Sequence, residues 1–218
     1  MATDTIAVFD LDGTITRRDT YAAYLLGYLR RHPPAWRRLP PLALALARPG
    51  ARAQSGALKA AALGAVLGGA DRARIEAWND VFVPWCLRRL LRAGAAPRIA
   101  MHRQAGHRLL LATASLDLYV RPLARELGFD EALCTRAGWT AEGRIAGALD
   151  GGNLKGEAKL AAVRRVVPAG CDAPFVVAYS DHHADLPLLR WADRAVAVCP
   201  TAPLAAAAAA EGFAVETW

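Results

Sequence analysis

Apolar residues recur in two rhythms along this chain, and the alternation between them predicts its elements. Thr5 to Phe9 forms a short apolar run without polar alternation, the pattern of a strand buried on both faces. After Thr14 the rhythm lengthens. Tyr21, Leu25 and Leu29 recur every fourth residue with Tyr24 and Tyr28 beside them, which predicts an amphipathic helix over 20–31 capped by Asp19 or Thr20. Prolines at 33, 34, 40 and 41 break the chain. Helical spacing resumes over 54–67 and stops at Gly68-Gly69. It restarts at Asp71 through Ile75, Trp78, Phe82 and Trp85, with a kink expected at Pro84. No strand pattern occurs from 17 to about 95, so this stretch reads as a helical insertion.

A helix over 97–105 returns the chain to strand rhythm at His107 to Ala112, a run that ends in Thr113-Ala114-Ser115. Asp117 opens a helix closed by Gly128, and the glycine-punctuated β-prone pieces over 131–149 suit a hairpin. A helix over 156–167 precedes the apolar run Phe175 to Tyr179, which ends in Ser180-Asp181. A helix over 184–191, a strand over 194–198, an Ala-rich helix and a short last strand follow. Strands alternating with helices predict an α/β fold, a Rossmann-like parallel sheet core formed by 1–16 and 96–218, with a helical cap over 17–95 inserted after the first strand.

Composition narrows the class. The 218 residues are 54% hydrophobic, enough for a substantial core. Cys86, Cys134, Cys171 and Cys199 stand far apart without a CxxC pair, the usage of free thiols in a reducing, cytoplasmic setting. The N-terminus lacks a signal-peptide succession, and the apolar run from Leu39 to Ala47 is too short to cross a bilayer. The net charge of +7 is unevenly spread: Arg17 to Arg108 holds 17 Lys and Arg against 4 Asp and Glu, an excess of +13 that leaves −6 elsewhere. Such a field gathers anions, whether phosphorylated metabolites, lipid headgroups or nucleic acid. Trp36 among arginines, followed by the Leu42–Leu46 run, suits peripheral contact with an anionic membrane, or packing inside the cap.

Three predicted strands end in polar groups, Asp10 with Asp12, then Thr113, then Asp181, and parallel strands deliver such ends to one edge. Asp10 and Asp12 either share a side of the strand or splay as the chain turns at Gly13, and Thr14 offers a hydroxyl and an N–H to an anion. Asp185 lies one turn beyond Asp181, while Lys155 precedes a helix start and Lys159 sits one turn into it. Clustered carboxylates with room for water select Mg²⁺, and a Thr hydroxyl, N–H groups and a lysine suit a phosphate opposite it. No Ser-His-Asp pattern, Walker loop or GxGxxG points to other chemistry.

Asp10-Leu11-Asp12-Gly13-Thr14, Thr113-Ala114-Ser115, Lys155-Gly156-Glu157 and Ser180-Asp181-His182-His183-Ala184-Asp185 resemble, in order, the four motifs of the haloacid dehalogenase superfamily. The insertion between the first two is similar to the cap of the branch (subfamily IB) containing phosphoserine phosphatase and bacterial phosphatidylglycerophosphatase C. The resemblance implies Asp10 as nucleophile, forming an aspartyl-phosphate, and Asp12 as general acid and base. It implies Mg²⁺ on the Asp10 carboxylate, the Asp12 carbonyl and Asp181, with Asp185 nearby. Thr113, Ala114 and Lys155 or Lys159 would hold phosphoryl oxygens, Lys155 being preferred. The second Asp favours a phosphatase over a carbon–halogen hydrolase.

Departures from the motifs bear on substrate. Asp19 stands where that branch reads an ammonium with a glutamate, and Ala114-Ser115 replaces paired glycines, so both weigh against phosphoserine. Asp19 equally suits a helix cap, and His182 either touches substrate or occupies a loop with His183. The expectation is a Mg²⁺-dependent phosphatase for a small phosphorylated metabolite, ranked slightly ahead of a lipid phosphate such as phosphatidylglycerophosphate. A cap that opens and closes over the site goes with it. The rival from another class is a non-catalytic basic protein that binds nucleic acid or a partner. The complete acid set argues against that rival, and nothing in the sequence calls for an obligate protein partner.

Overall fold

A computed structural model describes residues 4–32, 55–170 and 173–218. Trp36, Leu42–Leu46 and Cys171, which the sequence singles out, lie outside the described residues. The first strand, β1 (Thr5–Phe9), sits at the centre of a seven-stranded sheet. The others are β2 (Arg108–Leu116), β3 (Glu131–Trp139), β4 (Ile145–Asp150), β5 (Phe175–Ser180), β6 (Arg194–Val198) and β7 (Ala214–Glu216), in the order β4-β3-β2-β1-β5-β6-β7. Neighbours run parallel except β3 and β4, which form the expected hairpin.

The unbroken apolar run of β1 is explained by its position. Successive side chains point to opposite faces, and both faces are covered. Ala7 and Phe9 join Leu109, Leu111 and Tyr179 in one buried cluster, while Ile6 and Val8 join Leu110, Ala178, Leu188 and Leu204 in another. Helices α4 (Ala95–Gln104) and α5 (Asp117–Leu127) cover the first face. The second is covered by α6 (Glu157–Val166), α7 (Leu186–Trp191) and α8 (Ala202–Glu211).

Between β1 and β2 the chain makes α1 (Thr20–Arg31), α2 (Ser55–Leu67) and α3 (Arg72–Leu90), the helical insertion expected from the sequence. It leaves and re-enters the core side by side. Arg17 N–H donates to Leu90 O at 2.8 Å, and Arg92 N–H donates to Ile15 O at 2.9 Å. The insertion is not a detached unit. Leu63, Leu67, Trp78 and Phe82 belong to the same apolar cluster as Phe9 and Leu116.

At this seam α2 meets β4 backbone to backbone. A Cβ on Gly64 would lie 3.0 Å from Gly147 Cα, and one on Gly147, at φ +71°, would lie 2.8 Å from Gly64 Cα. Opening the cap on its linkers would have to part this contact. Pro84 lies inside α3 on an exposed turn, and the helix runs through it.

Candidate active site

The C-terminal ends of β1, β2 and β5 lie side by side, because their registers are parallel and in step. Asp10 continues the β1 ladder by one bond, its N–H donating to Tyr179 O at 2.9 Å. The chain then turns at Gly13 (φ +88°), where any Cβ would overlap the Asp181 carboxylate, so glycine alone permits the approach of this turn to the end of β5. Thr14 closes the turn. Its hydroxyl lies 3.4 Å from Asp10 Oδ2 and 3.3 Å from Asp181 Oδ1, linking two acids that are 171 positions apart in sequence.

Lys159, from the first turn of α6, places its ammonium 2.7 Å from Asp10 Oδ1 and 2.6 Å from Asp185 Oδ2. All three side chains are almost fully buried, and Ser180 Oγ adds a bond to Asp185 Oδ2 at 2.8 Å. Of the two lysines that the sequence offers, with Lys155 preferred, Lys159 contacts Asp10, and both line the cleft. The reason is helical geometry. Gly156 caps the start of α6, so Lys159, in its first turn, points back over the strand ends.

Asp12 has different partners. Its Oδ1 accepts from the N–H and the hydroxyl of Thr20, both at 2.6 Å, and its Oδ2 accepts from Ser115 Oγ at 2.5 Å. Thr20 is the first residue of α1 and also lies 3.0 Å from Tyr119 Oη, so Asp12 is held between the cap and the end of β2. A cap lysine enters from α2: Lys59 Nζ donates to Ala114 O at 2.5 Å and to Asn153 Oδ1 at 2.9 Å.

A cleft of about 410 Å³ gathers every residue that the sequence proposes for the site: Asp10, Asp12, Asp19, Thr113, Ala114, Lys155, Lys159, Asp181, His182 and Asp185. Their roles in place differ. Asp19 caps α1, accepting from Ala22 N–H at 2.9 Å. His182 Nδ1 accepts from Ala184 N–H at 3.0 Å, which leaves the proton on Nε2. Thr113 Oγ1 accepts from Ser115 N–H at 3.1 Å. Lys59, Asn153, Arg17 and Arg18 also line the cleft and escape the motif reading, and Ser115, part of the second motif, has no role assigned there. Lys59 carries one available signal, being the sole charge in an otherwise apolar helix. Thr20 and Asn153 carry none.

The acids are short of positive charge. Burial pushes Asp10 up to about 8 against the pull of Lys159, and Asp181 up to about 6. Asp12 is raised by burial and by Asp19, with Ser115 and Thr20 pulling back. Lys159 is raised, since Asp10 and Asp185 outweigh the burial that opposes its charge. Burial lowers Lys59 against the attraction of Asp12 and Asp19. Among the described residues no three His, Cys, Asp or Glu side chains form a metal-binding group. The arrangement implied for Mg²⁺ needs two carboxylates and one backbone carbonyl. Asp10 and Asp181, bridged by Thr14 and both raised by burial, fit it. Asp185, expected nearby, is instead bound by Lys159 and Ser180.

Comparison with known proteins bears on the family and the fold. The sequence profile described as haloacid dehalogenase-like hydrolase matches residues 7–190. Protein CicA of Caulobacter vibrioides is 37% identical over 196 residues, covering 86% of this chain and 83% of its own. A crystal structure of a Bordetella pertussis Tohama I protein of unknown function superposes with a TM-score of 0.79 at 27% identity, over 99% of both chains. A phosphoserine phosphatase in its apo form shares the fold, with a TM-score of 0.61 at 16% identity over 98% of this chain and 93% of that one.

Proposed function

The chain belongs to the haloacid dehalogenase-like hydrolases, and from that premise we propose that it is a Mg²⁺-dependent phosphate monoesterase that works through an aspartyl-phosphate. One observation carries the reading. Two carboxylates share a cleft in contrasting company, Asp10 against an ammonium and Asp12 against two hydroxyls and an N–H. Contrasting environments are what divide two acids into a nucleophile and a proton carrier.

Asp10 attacks phosphorus as its carboxylate, a form that Lys159 favours against burial, while the ester P–O bond breaks and Asp12 delivers a proton to the departing oxygen. Asp12 then takes a proton from water, whose oxygen attacks the aspartyl-phosphate and releases phosphate and Asp10. Thr113, the Ala114 N–H and Lys159 or Lys155, all from residues that line the cleft, would donate to equatorial phosphoryl oxygens. Mg²⁺, held by Asp10, Asp181 and the Asp12 carbonyl, would neutralise charge between the phosphate and the acids.

The unpaired Cys86, Cys134 and Cys199 support a cytoplasmic setting, and no helix among the described residues is long and apolar enough to cross a membrane. The test is hydrolysis of p-nitrophenyl phosphate with and without Mg²⁺. Asp10→Asn should lower kcat by at least about 10³-fold, and chelation should abolish turnover. Mg²⁺-independent hydrolysis, or turnover that survives Asp10→Asn, refutes the reading.

A further inference from the structure

Beside the catalytic cleft lies a second, larger depression of about 860 Å³ between α1 and α3. Phe82 and Trp78 form its floor, both buried, and Leu26 (54% exposed) and Trp85 (38% exposed) form its edges. Two of the few large apolar side chains that face solvent among the described residues therefore stand on one groove. Its rim is basic. Arg30, Arg31 and Arg89 are exposed along it, and no ion pair among the described residues involves them. The groove and the cleft meet, since Arg17, Arg18 and Asp19 line both.

We propose that this groove receives the aliphatic tail of the substrate, and that the enzyme's substrate class is a lipid phosphate monoester. The proposal rests on the phosphatase reading and adds the identity of the leaving group. An anionic phosphate seated at Asp10 continues, past Arg17 and Arg18, onto an apolar floor with a cationic border, and an amphiphilic anion matches that sequence of surfaces. A small polar metabolite would leave Leu26 and Trp85 wetted. A second copy of this chain fits poorly, because a two-fold contact would set one arginine rim against another. The ranking from sequence is thus reversed: the lipid phosphate moves ahead of the small soluble metabolite.

The test is a series of n-alkyl phosphates from ethyl to octyl, kept below micelle-forming concentration, with p-nitrophenyl phosphate as reference. Complete burial of a methylene favours binding by about fourfold. A groove open on one side should give about half that free energy, roughly twofold per methylene and roughly 60-fold in kcat/KM across the series. Leu26→Gln with Trp85→Gln, at exposed positions away from the cleft, should flatten the slope and leave p-nitrophenyl phosphate turnover unchanged. A flat series in the wild-type enzyme, with the reference substrate turned over, overturns the proposal. So does a dimer in sedimentation that the double variant disperses without changing the slope. Failure to hydrolyse the reference substrate as well would instead sink the phosphatase reading.

Discussion

Lys159→Met tests the electrostatic centre of the site, because it removes the one ammonium that touches both Asp10 and Asp185. The lysine is 3% exposed and its partners 9% and 4%, at 2.7 and 2.6 Å. Methionine keeps most of the volume, so the loss is chiefly one of charge. Removing one member of a buried ion pair costs about 3–5 kcal/mol, since the other member is left uncompensated. At 218 residues that corresponds to a fall of roughly 10 °C in Tm.

The loss should depend on pH. Without the lysine, Asp10 loses the ammonium that opposes burial and titrates further above the unfolded value of 3.8. The folded variant then binds more protons than the unfolded one, and its stability rises as pH falls from 8 to 5. Urea unfolding of both proteins in EDTA at the two pH values measures the difference. A deficit of about 3–5 kcal/mol at pH 8 should narrow as the pH falls to 5. A deficit below about 1 kcal/mol, or one that ignores pH, would refute the account of Lys159 as the counter-charge.

Two further changes probe other parts of the molecule. Ser115→Ala removes one of three bonds that orient Asp12, so kcat should fall about tenfold for alkyl phosphates. It should barely change for p-nitrophenyl phosphate, whose leaving group needs no proton, and equal losses on both would contradict the role of Asp12. Gly147→Ala places a methyl against Gly64 at a left-handed φ, and should destabilise the protein by about 1–3 kcal/mol in thermal unfolding. Neutral behaviour would mean that the cap is not pressed onto β4.

The order of elements was legible in the sequence because periodicity is local. The run Thr5–Phe9 announces a strand buried on both faces, the repeat of Tyr21, Leu25 and Leu29 announces α1, and the absence of strand rhythm from 17 to 95 announces the insertion. The candidate acids were legible for a related reason. Strand ends gather at one edge of a parallel sheet, so Asp10, Asp12, Thr113 and Asp181 could be brought together on paper. What followed from tertiary structure was whatever depends on distance across the chain. The contact of Lys159 with Asp10 turned on the start of α6, and the grip of Thr20 and Ser115 on Asp12 joins residues 95 positions apart. The groove of Leu26, Trp78, Phe82 and Trp85 exists only where α1 meets α3. A helix's own period tells which residues share a face, and only the packing of a second helix decides whether that face is filled or left open to a ligand.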